Sequence, residues 1–479
     1  MSNFKRINIF IIIIIFVVIS VPRSVIANEG VLGSPLGSPL GDVHAAAHIL
    51  IEAQSGRIIS ENDAHRRMFP AGTTMILTSI LAYEHIGMDE IIVAGNEVTN
   101  LPHAMARNFH EVGEAISGIN LIRGMLIGAG SDTANIVVME VARRLDGPGV
   151  TFARAQVIFA RLMNEKAAYI GALDSNFVNP HGYHHDSHFT TAYDMAQIAR
   201  YAMGIDVIAQ IAGNASFSGH MAGGYANVPA GASGFSRTWN SPNELLQSGA
   251  NNYPYATGLR TGRTNQAGDS LVATAARDDV NLISVTFNSP EINYAPTRWQ
   301  DNINLFEYGF DNFAHRVFLD EGALVGEIAI YDPPLGDYDN LGFFSTQEGI
   351  FFLSISEFER LQRQISFLPD MLVYSDESGR NLFMGPIYEG EHIGYVAYYL
   401  DDALIFSTNI YAMRDIGLRT TATDIEYHVA WINQTFFSAE AIPYWVAAVS
   451  VFILLLVLFI LARNAIRRKK GNQKYKWKY

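Results

Sequence analysis

Two short stretches, FVNPHG at residues 177–182 and HFTTAYD at 188–194, decide the fold when read together. Pro180 and Gly182 hold the first in a loop. Thr190 or Thr191 in the second caps a helix predicted over Tyr193 to Met203. Strands flank this loop-and-helix centre on both sides. Upstream, Ala46 to Glu52 is an apolar strand turned by Gln54-Ser55-Gly56 onto a second strand, Arg57 to Ser60. Thr74 to Tyr83 reads as a helix capped by Thr73 or Thr74, and Asn120 to Leu145 as helix broken near Gly128 to Gly130. Downstream, Leu271 to Arg277 and Asn281 to Phe287 predict a hairpin across Asp278-Asp279. Strands, then helices, then strands predict an α+β domain over roughly residues 42–290. Past Phe313 the texture changes to short β-type runs split by Gly, Asp and Pro: Leu324 to Tyr331, Ile350 to Ser354, Ile393 to Leu400, Ala403 to Ile410. A small all-β domain is expected there, with a boundary near Ala314.

The ends predict a location. Lys5 and Arg6 precede an apolar run from Ile7 to Val21, and Ala27 stands at a plausible cleavage position, the pattern of a signal peptide over 1–27. Residues 28–41 are a Gly/Ser/Pro linker. Near the other end, Tyr444 and Trp445 open a run to Ala462 in which Ser450 is the one polar residue, so 444–462 reads as a transmembrane helix. Eight basic residues follow in 463–479, which predicts a cytoplasmic tail and an extracytoplasmic body.

The chain has 479 residues, 49% hydrophobic and 17% charged, and no Cys, which excludes a disulfide framework and any Cys-ligated metal centre. Between Asn28 and Ala462 lie 22 basic and 47 acidic residues, a formal charge of −25. Such a body excludes nucleic-acid binding through a basic face. It holds a single lysine, Lys166.

Several segments, in the right order, resemble the serine-type D-alanyl-D-alanine carboxypeptidases, the low-molecular-weight penicillin-binding proteins. Arg66 to Met75 (RRMFPAGTTM) resembles the nucleophile segment, and the opening pair of stretches is the most family-like part. Gly258 to Thr264 (GLRTGRT) followed by Ala267-Gly268 resembles the third motif, and Gly385 to Gly394 the C-terminal β domain. The resemblance implies a penicillin-binding, β-lactamase-like transpeptidase fold over 42–313, a β domain over 314–430, and a peptidoglycan stem peptide or other cell-wall component as partner. It implies no cofactor and no metal.

The chemistry of that family needs a Ser, a Lys one helical turn later, a Ser-x-Asn motif and a Lys-Thr-Gly strand. By the resemblance, Gly72 stands at the nucleophile and Met75 at the general base. Ala129 stands at the second-motif Ser and Ser131 at its Asn. Arg260 replaces the third-motif Lys, and Thr261 and Gly262 are unchanged, followed by Arg263. The backbone N–H groups of Gly72 and Arg263 would form the oxyanion hole. The lysine count makes the loss independent of alignment: Met163 lies three residues before Lys166, so no Ser-x-x-Lys exists in the body. Gly cannot attack and Met cannot accept a proton.

Other candidates are weaker. His181, His184, His185 and His188 read as a solvated loop rather than a metal site. Asp132, Glu140 and Asp194 are a chance set among many acids, and Ser131 has no evident base. Arg260 is open to two readings, a bidentate carboxylate grip or a strand arginine paired with an acid. The expectation is a membrane-anchored, catalytically inactive homologue that binds or organises wall peptides or wall enzymes. The alternatives are an active carboxypeptidase with an unrecognised nucleophile, and a structural wall-facing protein.

Overall fold

The computed structural model describes residues 39–102 and 105–474; the expected signal peptide, most of the linker and the end of the basic tail lie outside them. Two compact units result. One holds the described residues up to Arg316 together with Phe351–Glu359, the other Val317–Ile350 and the chain from Arg360 onward.

In the first unit the elements run β1 (Ala47–Glu52), β2 (Ile58–Asn62), α1 (Met75–His85), β3 (Ile91–Val93), β4 (Ala115–Ser117), α2 (Gly118–Leu126), α3 (Ser131–Asp146) and α4 (Phe152–Ile170). They continue as α5 (Ala192–Met203), α6 (Asp206–Ala212), β5 (Ser216–His220), β6 (Ser236–Asn240), β7 (Ala256–Thr264), β8 (Gly268–Arg277), β9 (Val280–Ser289) and α7 (Arg298–Asn312). The main sheet is antiparallel in the order β2-β1-β9-β8-β7. Alternation along its strands sorts two cores. Ile49, Ile51, Val272, Ile283 and Val285 face the helical layer that contains α1, α3 and α5. Leu50, Leu271, Ala273 and Leu282 face α7 through Trp299, Leu305 and Phe306. Each of these large side chains is essentially fully buried, worth about 1.5–3 kcal/mol apiece. The edge strand β7 is in register with β8 at Arg260 and Val272, so Arg260 shares the face that looks toward the helices.

The expected strand at Ala46, the hairpin across Asp278-Asp279 and the helix capped by Thr191 are all present; Thr191 Oγ1 accepts from the Asp194 N–H at 3.0 Å. The expected Thr cap on α1 is not. A 3₁₀ turn, Ala71–Thr74, leads into the helix, so Thr74 already has helical backbone angles and its hydroxyl is used elsewhere.

The second unit contains a five-stranded antiparallel sheet in the order Leu324–Ala329, Asn340–Phe344, Ala403–Ala412, His392–Leu400, Gln362–Phe367. Leu341, Phe343, Val396 and Ile410 fill its core. A helix capped by Thr420, Thr421–Ile432, is followed by the helix Ile442–Lys474. Within the latter, Ile442–Arg467 is 26 apolar-rich residues, about 39 Å at 1.5 Å per residue against an apolar bilayer core of about 30 Å. It is a candidate membrane anchor.

Candidate functional site

The 3₁₀ turn before α1, the loop before α3 and strand β7 meet around a cavity of about 660 Å³. Gly72, Met75, Ala129, Ser131, Arg260, Thr261, Gly262 and Arg263 all line it, together with His181 and Arg298. The residues at the family's motif positions are therefore brought to one place, whereas Asp132, Glu140, Lys166, His185, His188 and Asp194 do not line it.

Backbone demands explain the local sequence. Ala71 and Ala129 sit at φ 47° and 59°, a left-handed conformation that costs a residue with a Cβ roughly 1–3 kcal/mol. Gly262 lets β7 close onto the turn: a Cβ there would lie 2.8 Å from Pro70 O and 2.9 Å from Gly72 N. Gly182, at φ 79°, packs so tightly on the Ala71 carbonyl that a Cβ would overlap it.

Arg260 decides the chemistry. It is 4% exposed. Nη1 donates to Thr261 Oγ1 at 3.3 Å, Nη2 donates to Met75 Sδ at 3.7 Å, and the buried Nε has no acceptor. A Cβ on Gly72 would stand 3.3 Å from Nη2 and 3.0 Å from Thr261 O. The guanidinium thus lies against both Gly72 and Met75. The acid-paired reading of Arg260 is corrected: among the described residues no carboxylate pairs with it. Burial, with Arg298 nearby, lowers its pKa to about 10, so it stays charged at neutral pH.

Arg298 was invisible to motif reading because it lies on α7, outside all three motifs. It lines the cavity, but Asp269 meets it at 2.6 Å. Asp269 and Glu291 also take Arg263, at 3.5 and 3.0 Å.

The neighbouring hydroxyls are committed. Thr73 Oγ1 donates to Pro70 O at 2.7 Å. His188 Nδ1 accepts from the Val178 N–H at 3.0 Å, so its Nε2 carries the proton and donates to Thr74 Oγ1 at 2.9 Å. A histidine in that tautomer cannot deprotonate Thr74. The solvated reading of the histidine run is corrected for two members: His181 and His188 are buried, because the loop folds under α1. Burial lowers His181 to about 4; burial and the neighbouring histidines lower His188 to about 3. Both are neutral at pH 7. Lys166 is held by Glu84 at 2.8 Å, with its ammonium over Tyr169 and Tyr201, away from the cavity. Among the described residues no group of three or more His or acidic side chains is placed to hold a metal ion.

Asp132 and Asp194 are structural acceptors, not a carboxylate pair. Asp132 takes the Asn108 and His110 N–H groups at 2.9 and 3.0 Å. Asp194 takes the Asp174 N–H and the Ser175 hydroxyl at 2.8 and 2.6 Å. Glu140 pairs with Arg143 and Arg144. Ser131 is buried, and its N–H donates to Ala106 O at 3.0 Å, which fixes the loop that forms one wall of the cavity.

Residues 35–291 match the family model described as D-alanyl-D-alanine carboxypeptidase. The D-alanyl-D-alanine carboxypeptidase DacA of Haemophilus influenzae is 23% identical over 388 residues, covering 78% of this chain and 86% of that protein. DacB2 of Mycobacterium tuberculosis is 30% identical over 271 residues, 56% of this chain and 83% of its own. Among solved structures, penicillin binding protein 5 from Haemophilus influenzae superposes with a TM-score of 0.54 at 23% identity, over 80% of this chain and 100% of that one. DacD from Francisella tularensis gives 0.56 at 20% identity, over 82% and 98%. These structural likenesses show a shared fold.

Proposed function

The chain belongs to the D-alanyl-D-alanine carboxypeptidase family, and from that premise we propose that it has kept the family's peptide-binding cleft without its hydrolysis. In this reading residues 42–313 bind the C-terminal carboxylate of a peptidoglycan stem peptide and 314–430 form a β spacer. Thr261, Gly262, Arg263 and Arg260 are the binding residues; Gly72, Met75, Ala129 and Ser131 mark catalytic positions whose chemistry is lost. The observation that carries the proposal is the Arg260 guanidinium lodged against Gly72 and Met75, charged, buried and without a carboxylate. A buried unpaired charge is costly unless something answers it, and a peptide carboxylate can do so bidentately. The retained strain at Ala71 and Ala129 also favours a maintained cleft over a collapsed one.

The test is calorimetry on the full-length chain in nanodiscs with an N-acylated peptide ending in D-Ala. One charge-assisted contact is worth about 1.5–3 kcal/mol, so a micromolar or weaker Kd is expected. Arg260→Gln should weaken binding at least tenfold; equal affinity for parent and variant would leave Arg260 merely structural.

We further propose that Ile442–Arg467 spans the cell membrane once, with the body outside and the basic tail in the cytoplasm. Protease added to intact cells is expected to degrade the body and spare an epitope at the C-terminus. Loss of that epitope without lysis would reverse the orientation.

A further inference from the structure

The cleft holds three arginines, but their charges are not equally available. Arg263 is 62% exposed along its side chain and shared between Asp269 and Glu291; Arg298 is tied to Asp269. Both are already answered by carboxylates of the chain. Arg260 is not. Of the five N–H donors of its guanidinium, one meets a hydroxyl at 3.3 Å, one meets a thioether, and Nε meets no protein acceptor. The unanswered charge therefore lies against the start of α1, at Gly72 and Met75, with Arg298 near enough to act on it.

Where that charge sits decides the length of the ligand. By the family's chemistry, Gly72 marks the point at which the carbonyl of the bond to be cut would arrive. A peptide ending in D-Ala-D-Ala would bring a neutral amide carbonyl to that point, and its carboxylate would extend one residue further, toward arginines already neutralised. A peptide one residue shorter would bring its terminal carboxylate to Arg260 itself. The absent side chain at position 72 leaves the approach to Nη2 uncovered: a Cβ would fall 3.3 Å from Nη2 and crowd an oxygen bound there.

We propose that the cleft is selective for the trimmed peptide, the product of a carboxypeptidase, with its new C-terminal carboxylate clamped by Arg260 beside Gly72. The inference rests on the receptor reading above and narrows its ligand. It also orders the protein in a reaction sequence: its ligand is supplied by hydrolytic removal of a C-terminal residue, catalysed by another enzyme.

The experiment titrates the full-length chain in nanodiscs, at fixed ionic strength, with three probes. These are an N-acylated peptide ending in D-Ala, the same peptide ending in D-Ala-D-Ala, and the C-terminal amide of the first. A charged acceptor in place of a neutral one is worth about a factor of ten. The D-Ala peptide is expected to bind at least tenfold more tightly than the D-Ala-D-Ala peptide, and the amide at least tenfold more weakly than the D-Ala peptide. Gly72→Ala, whose methyl would crowd the oxygen bound at Nη2, should weaken the D-Ala peptide at least fivefold. The Arg260→Gln variant should lose the preference. Equal or tighter binding of the D-Ala-D-Ala peptide, or no effect of Gly72→Ala, overturns this inference and leaves the receptor reading standing. Failure of every probe to bind at millimolar concentration overturns the receptor reading itself.

Discussion

Full-length protein incubated with a pentapeptide ending in D-Ala-D-Ala is expected to release no D-alanine above the buffer blank, and to form no adduct with a fluorescent penicillin. Nucleophile and base act as a unit, and removing either costs on the order of 10⁶-fold in a serine hydrolase. In the proposed reading Gly72 and Met75 stand in their places, and the neighbouring side chains are otherwise engaged. Thr73 and Thr74 are committed to other bonds, His188 presents a proton rather than a lone pair to Thr74, and Lys166 lies away from the cavity, held by Glu84. The variant Gly72→Ser with Met75→Lys should still give only a trace of acylation. The serine would be crowded by Thr261 O and Arg260 Nη2, at 3.0 and 3.3 Å from its Cβ. The lysine would be placed beside the same guanidinium, which already lies 3.7 Å from Met75 Sδ. Two cations about 4 Å apart repel by about 4 kcal/mol at an effective dielectric near 20. Adding Arg260→Lys, which keeps the charge but removes the Nη2 that crowds position 72, should raise acylation above the double variant, and Ala129→Ser with Ser131→Asn should raise it again. Stoichiometric penicillin labelling of the unmodified protein would show that an unrecognised nucleophile is at work. The Arg260 geometry would then need another explanation.

Much of this was legible in the sequence because it depends on local rules. An apolar run closed by Gln54-Ser55-Gly56 marked Ala46 to Glu52, the break at Asp278-Asp279 marked the β8–β9 hairpin, and Pro180 with Gly182 marked the loop before α5. The site was legible through the order of its motifs, and the missing lysines through simple counting. What escaped has one physical cause: it depends on contacts between residues remote in sequence. The isolation of Arg260 from acids cannot be read from a chain with 47 of them. The burial of His181 and His188 depends on where α1 lies. Thr73 and Thr74 look like caps until the 3₁₀ turn before α1 is seen. The buried trio next to the cleft, Glu114, Arg237 and His110, has partners up to 123 residues apart, and no motif announces it.

That trio carries the largest stability effect expected. The Glu114 side chain is fully buried and accepts from Arg237 Nε and Nη2 at 2.9 and 2.6 Å, a bidentate pair. His110 Nδ1 stands 3.1 Å from its Oε1, and the Glu111 N–H donates at 3.0 Å. Burial alone would push the carboxyl up; the His110 and Arg237 contacts, with the Glu111 N–H, outweigh it and hold it down to about 2. Breaking one partner of such a pair costs about 3–5 kcal/mol, because the other is left as a buried charge. Glu114→Gln should therefore lower Tm by roughly 10 °C in a domain of this size. Arg237→Met combined with Glu114→Leu should recover part of the loss, since no charge is then left stranded. The pH dependence fixes the cause. A folded-state value below the unfolded one adds stability that is complete above about pH 4.5 and disappears as pH falls toward 2. In urea titrations the gap between parent and Glu114→Gln should narrow by about 3 kcal/mol across that window. A gap that stays constant from pH 6 to 2 would mean the carboxylate's charge contributes nothing. The consequence reaches the cleft, because Arg237 Nη1 also donates to Asn108 O at 3.2 Å, and Asn108 with His110 holds the chain to Asp132 at the start of α3. The wall formed by Met105 and Ala106 leans on that anchorage, so Glu114→Gln should weaken peptide binding as well as the fold, although it touches no ligand.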